Sequence, residues 1–327
     1  MKAIVQDKYG EAADVLRLDD IDRPQIAAHE VLLRVHAAGL DRGVWHIMAG
    51  LPYPIRLAGY GVRAPKNPVI GTDVAGRVEA VGAAVTNVQI GDAVYGAGHG
   101  SFAEYSRADA SKIARKPNNL TFEQAAALPV SACTALQAVR GRAKVQPGQQ
   151  VLVIGASGGV GTYIVQIAKA LGAVVTGVSS AGKADLVRSL GAEHVIAYET
   201  EDFADAGQRF DVILDTGGMA SLTRLRHALA PRGTLVIVGG ETGGRLLGGS
   251  ERALRAIAVS PFIGQKLGTF VASVKTGDLN ELTALVESGQ MKPMVDRTYP
   301  LSGVAEAIRY MQAGQARGKV VISMEHE

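Results

Sequence analysis

Val151-Leu152-Val153-Ile154-Gly155-Ala156-Ser157-Gly158-Gly159-Val160-Gly161-Thr162 is the stretch whose reading decides the fold. Its four leading apolar residues, entered from the turn Gln146-Pro147-Gly148, have the pattern of a strand buried on both faces. The run from Tyr163 to Gly172 has helical rather than alternating apolar spacing. A strand that enters a helix through glycines leaves backbone N–H groups free at the positive end of the helix dipole, where no Cβ keeps a pyrophosphate away. Ala156-x-Gly158-x-x-Gly161 fills the G-x-G-x-x-G frame with alanine for its first glycine, and Gly155 lies just outside it. No Gly-Lys-Ser/Thr opens the helix, so a triphosphate P-loop is disfavoured. With a strand before and a helix after, the glycines read as a dinucleotide seat and not merely as a tight turn. Gly155, Ala156, Ser157, Gly158, Gly159 and Val160 are its residues, with the pyrophosphate over Ser157 to Val160.

Downstream, strands are expected at Val151 to Ile154, Val174 to Val178, His194 to Ala197, Asp211 to Leu214 and Thr234 to Val238. Helices fall between most of them, for instance Lys183 to Leu190, closed by Gly191, and Ser221 to Leu229. Strand-helix alternation demands parallel strands and right-handed crossovers, hence a doubly wound sheet. Upstream, Val31 to His36 alternates, Val74 to Val81 is a glycine-punctuated strand, and Gly91-Asp92 leads into Ala93-Val94-Tyr95. That half is mostly β. Leu51 to Pro68 holds four prolines and reads as a loop able to cover a pocket. Thr121 and Gln124 have capping-box spacing, so the domain boundary is placed there. Past about residue 260 a helix at Asp278 to Ser288, the stretch Val295 to Leu301, a helix at Val304 to Met311 and a strand at Val320 to Ser323 read as a return to the first domain. The expected organisation is 1–122, a mostly β catalytic domain; 123–265, an inserted nucleotide domain; and 266–327, the return segment. An active site is expected in the cleft between the domains.

The second strand of such a sheet selects NAD when it ends in an acid that binds the ribose hydroxyls. Here it ends Thr176-Gly177-Val178-Ser179-Ser180. Two hydroxyls and Lys183 suit a 2′-phosphate through charge-assisted hydrogen bonds, so NADP(H) is the expected cofactor. Tyr198, after the third strand, is a candidate to stack near the adenine. Plain turn and cap chemistry for the serines, a solvated cation for Lys183 and simple packing for Tyr198 remain the alternatives.

Composition sets outer limits. With 327 residues, 47% hydrophobic and 20% charged, the chain is globular and long enough for two domains. A net charge of +3 without a long basic run gives no sign of nucleic-acid or membrane attraction. Cys133 stands alone, which excludes an intrachain disulfide and a thiolate-rich metal site. The amino terminus lacks a signal-peptide core, and a reducing cytoplasm is the expected compartment.

Gly71-Thr72-Asp73-Val74-Ala75-Gly76-Arg77-Val78, Ala127-Leu128-Pro129-Val130, Gly155 to Gly161, Lys183 followed by Leu190-Gly191-Ala192, Asp215-Thr216-Gly217-Gly218 and Gly318-Lys319-Val320-Val321 together resemble the medium-chain dehydrogenase/reductase superfamily. Within it the chain is similar to the zinc-independent quinone oxidoreductase branch, zeta-crystallin-like and reticulon-interacting-protein-like. The resemblance implies an α/β protein: a GroES-like, mostly β catalytic domain with an inserted Rossmann doubly wound parallel-sheet domain, and a homodimer joined through the Rossmann sheets. It also adds Gly239 and Lys319 to the cofactor-binding set. The places that hold catalytic zinc in metal-dependent relatives look like Ala38, Thr72 and Val130, none a usual ligand, so no zinc is expected. Cys133 is expected to be a small buried hydrophobe.

Without a Lewis acid an alcohol is hard to ionise at neutral pH, and reduction by hydride is the easier direction. The expected activity is NADPH-dependent reduction of a quinone or α,β-unsaturated carbonyl, a small-molecule electron acceptor. An enoyl-thioester or 2-alkenal reductase, and a crystallin-like protein that keeps NADPH without turnover, are the alternatives. Asp41, His46 and Tyr53 are the candidate pocket residues. Asp41 follows Ala38-Gly39-Leu40, where quinone reductases often carry asparagine; it reads equally as the N-cap of the next helix. Tyr53 resembles the proton-donating tyrosine of enoyl-thioester reductases, against the alternative of a pocket wall.

Overall fold

A computed structural model describes residues 1–205, 207–239 and 244–324. The chain divides into two units, Met1–Cys133 with Ser273–Glu327, and Thr134–Ala272.

The first unit opens with β1 (Lys2–Val5) and β2 (Arg17–Asp20), an antiparallel pair. There follow β3 (Glu30–Leu40), β4 (Asp73–Val81), β5 (Ala93–Ala97), β6 (Tyr105–Asp109) and β7 (Ile113–Arg115). Along β3, Val31, Leu33, Val35 and Ala37 are buried at every second position, as alternation requires of a strand with one face on a core. Helix Phe122–Ala126 opens on the capping box expected from the sequence, with Thr121 and Gln124 each satisfying the other's backbone N–H.

The second unit is the parallel sheet. Its strands are β8 (Gln150–Ile154), β9 (Val174–Ser179), β10 (His194–Ala197), β11 (Phe210–Asp215), β12 (Leu229–Ile237) and β13 (Lys266–Thr269). They lie in the order β10-β9-β8-β11-β12-β13, every pair parallel. The order reverses between β8 and β11, the crevice where open α/β sheets hold ligands. Val151, Leu152 and Val153 are fully buried, which is why their run reads as uniformly apolar.

The chain then returns to the first unit through helix Thr276–Glu287, β14 (Val295–Pro300), helix Val304–Gln312 and β15 (Lys319–Ser323). β15 pairs with β14 and with β3, giving the order β14-β15-β3-β4-β5-β7, with β6 also on β3. Tyr95 ties the return helix down: its buried hydroxyl donates to the Leu279 carbonyl at 2.6 Å and lies 3.0 Å from Thr283 Oγ1.

Three sequence expectations change. The first unit runs to Cys133 rather than 122, because helix Phe122–Ala126 packs on β3 and β4. The second runs to Ala272 rather than 265, because β13 adds a strand beside β12. The stretch from Leu51 to Pro68 is not all loop: Arg56–Tyr60 is a helical turn. Pro54 opens the helical stretch that leads into it, tolerated there because the first turn of a helix has no acceptor for the N–H that proline lacks.

Candidate active site

In the second unit the seat is built by two glycines that let backbones touch. Gly155 has φ +79°, and a Cβ there would lie 2.6 Å from Thr216 Oγ1. A Cβ on Gly161 would lie 2.1 Å from the Gly155 carbonyl oxygen, so this glycine lets the helix start press against the strand end. Gly158 differs: its Cβ would meet only the Gly155 oxygen, at 3.3 Å. The amides of Gly155 and Ala156 are spent on the Val178 carbonyl, and that of Gly158 on Gly155. Those of Ser157, Gly159 and Val160 have no acceptor among the described residues. Three unsatisfied donors beside an uncluttered Gly158 suit a pyrophosphate.

Across the crevice, Asp215 ends β11 fully buried. Its Oδ1 accepts from the N–H groups of Gly217 and Gly218, both at 3.1 Å, and Arg252 Nη1 lies 2.6 Å from Oδ2. Burial pushes the Asp215 carboxyl above the ordinary carboxylate range, opposed by Arg252 and the two amides. Arg252 also donates to the carbonyls of Ala220 and Gly239, fixing helix Ser250–Val259 beside the strand ends. Gly239 is close-packed, since a Cβ there would lie 2.7 Å from the Thr216 oxygen.

At the end of β9, Ser179 is buried and its hydroxyl donates to the Ser180 carbonyl at 3.1 Å. Ser180 precedes a short 3-10 turn, Ala181–Lys183, without capping it through its side chain. Lys183 is half-buried at the start of helix Ala184–Ser189, and Tyr198 is 63% exposed, held by its amide to the Ser179 carbonyl. The structure also brings an acid here that the sequence reading missed: Glu199 Oε2 accepts from the Ala181 N–H at 3.0 Å.

In the first unit Asp41, His46 and Tyr53 belong to one continuous piece of chain. Asp41 is the N-cap of helix Arg42–Ala49, accepting from the Val44 N–H at 3.2 Å, while its buried Oδ2 has no hydrogen-bond partner among the described residues. His46 Nδ1 lies 2.8 Å from the Leu51 carbonyl oxygen. A carbonyl only accepts, so Nδ1 carries the proton and Nε2 is left for another group. Tyr53 is 39% exposed, its hydroxyl has no partner among the described residues, and its ring lies under the Arg56 guanidinium at 4.9 Å. Arg56 stacks on Tyr9 as well, at 4.4 Å, and donates to the Gly50 carbonyl at 2.9 Å. Tyr9 in turn donates to the Gly61 carbonyl at 2.6 Å, pinning both ends of the segment. Neither residue had a sequence signal beyond being polar.

Lys319, expected at the cofactor, is instead 2% exposed inside the first unit. Its ammonium donates to Asp73 Oδ2 and to Ser131 Oγ, both at 3.1 Å, and the Val130 N–H donates to Asp73 Oδ1 at 2.8 Å. With its ammonium committed to that carboxylate, Lys319 is here a buried countercharge. Ala38 is fully buried, and among the described residues no three His, Cys, Asp or Glu side chains converge as a metal site would require.

Comparison with known proteins decides the family. Residues 27–118 match the alcohol dehydrogenase GroES-like domain, and residues 190–322 match the family described as zinc-binding dehydrogenase. The chain is 34% identical to the 2-methylene-furan-3-one reductase of Solanum lycopersicum, over 98% of this chain and 79% of that one. It belongs to the quinone oxidoreductase branch of the medium-chain dehydrogenase/reductase superfamily. A chloroplastic NADPH-dependent alkenal/one oxidoreductase of Arabidopsis thaliana is 33% identical, over 98% of this chain and 79% of its own. Among solved structures, the Escherichia coli quinone oxidoreductase complexed with NADPH superposes with a TM-score of 0.83 at 27% identity, covering 99% of this chain and 100% of that one. As a member of this branch the chain is an oxidoreductase, with a GroES-like unit and a Rossmann unit.

Proposed function

We propose that this protein transfers hydride from NADPH to a quinone or an α,β-unsaturated carbonyl compound without catalytic zinc. The observation that carries the reading is the set of unsatisfied amides at Ser157, Gly159 and Val160 over an open Gly158. The NADPH-dependent alkenal/one oxidoreductase and the NADPH-bound quinone oxidoreductase among its relatives support it.

Those three amides, with Ser157, Gly155 and Ala156 shaping the floor, would hold the pyrophosphate. Ser180, Lys183 and Tyr198 would hold the adenosine end. When bound, the dihydronicotinamide supplies the hydride. The remaining work belongs to side chains that orient the acceptor and handle its proton. The unpartnered Tyr53 hydroxyl is the donor we assign, with Arg56 and Tyr9 holding its loop in place. His46, its Nδ1 proton fixed on Leu51, offers Nε2 to the acceptor or to water. Tyr53→Phe is expected to slow reduction of an alkenone about 100-fold, the usual worth of general acid catalysis, and to slow quinone reduction less, because quinone oxygens take protons from water. Steady-state assays with both substrate classes check this. An alkenone rate unchanged in the variant would leave Tyr53 a pocket wall.

Lys183→Ala is expected to weaken NADPH binding by about 1.5 to 3 kcal/mol, the worth of one charge-assisted hydrogen bond, with little effect on NADH. Titration calorimetry with both cofactors reads the difference, and equal losses would remove Lys183 from the 2′-phosphate.

Zinc independence rests on Ala38, Thr72 and Val130, which offer no ligating side chain of the usual kind. For the homodimer, β13 is an edge strand flanked by Phe262 and Val271, 86% and 95% exposed, and its unpaired backbone groups suit the same strand of a second copy. A reducing cytoplasm is the compartment we propose, on the single buried Cys133. Among the described residues no helix is long and apolar enough to cross a membrane.

A further inference from the structure

The end of β9 carries two opposed signals. Ser180 and Lys183 suit a 2′-phosphate, whereas the carboxylate of Glu199 already occupies the Ala181 N–H at 3.0 Å. The parallel register explains how it gets there. Ala197 of β10 lies beside Ser179 of β9, and Tyr198 continues that pairing through its amide on the Ser179 carbonyl. Glu199 therefore emerges level with Ala181. It is exposed, and no cation among the described residues lies within ion-pair distance of it. An exposed carboxylate held by one amide, with no ion-pair partner among the described residues, adds negative charge where a dianion would have to sit.

We propose that Glu199 is a specificity-determining residue that competes with the cofactor's 2′-phosphate at the Ala181 N–H and narrows the preference for NADPH over NADH. The inference rests on the NADP(H) reading above and adds to it the residue that limits its selectivity. A 2′-phosphate must displace the carboxylate from its donor and then lie beside it, so NADPH bears both a lost hydrogen bond and a like-charge repulsion. NADH bears neither, because its 2′-hydroxyl is neutral and donates to a carboxylate as readily as it accepts from an amide. The acid that selects NAD from the end of the second strand in other Rossmann sheets is here supplied from the end of the third.

Glu199→Gln tests this with little risk to the fold, since the amide oxygen of glutamine can keep the bond from Ala181. Titration of the full chain with NADPH, NADH, 2′,5′-ADP and 5′-AMP is the measurement. Removing the charge is expected to tighten NADPH and 2′,5′-ADP about 10-fold at low salt, to leave NADH and 5′-AMP unchanged or slightly weaker, and to lose part of the gain at high salt through screening. Unchanged affinity for the two 2′-phosphorylated ligands, or equal tightening of all four, overturns the role of Glu199. A wild-type chain that binds NADH but neither NADPH nor 2′,5′-ADP, with Glu199→Gln failing to restore them, overturns the NADP(H) reading and the inference with it.

Discussion

Lys319→Met is expected to destabilise the protein by about 3 to 5 kcal/mol, the loss seen when one partner of a buried ion pair is removed and the other charge is left uncompensated. The site meets those conditions. Asp73 and Lys319 are 0% and 2% exposed, and among the described residues the carboxylate's other hydrogen bond comes from the Val130 N–H. Burial raises the Asp73 carboxyl from its ordinary 3.8 to about 7, Asp41 adds to the rise, and Lys319 opposes it. Because the folded pKa exceeds the unfolded one, the folded state holds more protons between those two values. Stability from Asp73 is therefore greatest at the acid end of that window and falls as pH rises through it. Without the ammonium the folded pKa climbs further and the fall continues to higher pH, so the variant's deficit should be larger at pH 8 than at pH 5. Asp73→Asn in the Lys319→Met background keeps an acceptor for Val130 and removes the orphaned charge; the double variant should recover part of the loss at pH 8. Urea denaturation at the two pH values measures all of this, and a deficit under about 1 kcal/mol that ignores pH would show that the pair contributes little.

That pair also shows where sequence reading stops. Lysine and aspartate are the residues least often buried, and nothing local to Gly318-Lys319-Val320 or Thr72-Asp73-Val74 announces a partner 246 positions away. Only β15 lying beside β3, and β3 beside β4, brings them together. Glu199 escaped for a related reason, since an acid sought at the end of the second strand came from the third across a parallel register. β13 was missed because its four residues, Lys-Leu-Gly-Thr, form an edge strand of which Leu267 alone is buried. By contrast β8 was legible because burial on both faces leaves it an unbroken apolar run, and its following helix because its ten residues lack the strict alternation of a half-buried strand. Asp41 was legible in both its readings at once, and the structure shows the cap directly.

Gly158→Val is expected to abolish binding of NADPH and NADH alike, to Kd values above about 1 mM, while the chain stays folded. The two halves of that expectation have different causes. The fold tolerates the side chain because Gly158 does not need a positive φ, and its Cβ would meet a single protein atom, the Gly155 oxygen, at 3.3 Å. The ligand does not tolerate it, because the branched side chain fills the space over the amides of Ser157, Gly159 and Val160 that a pyrophosphate must enter. Gly161→Ala should reverse the balance. Its Cβ would lie 2.1 Å from the Gly155 oxygen and 2.8 Å from the carbonyl carbon, backbone atoms that cannot swing aside, so helix Gly161–Ala170 must shift away from β8. That variant should lower the melting temperature as well as cofactor affinity, although it adds only a methyl group. Circular dichroism melts and cofactor titration on the two variants separate the roles. Gly158→Val binding NADPH with wild-type affinity would remove the pyrophosphate from this turn, and Gly161→Ala melting like the wild type would show that the close approach of helix and strand is not required.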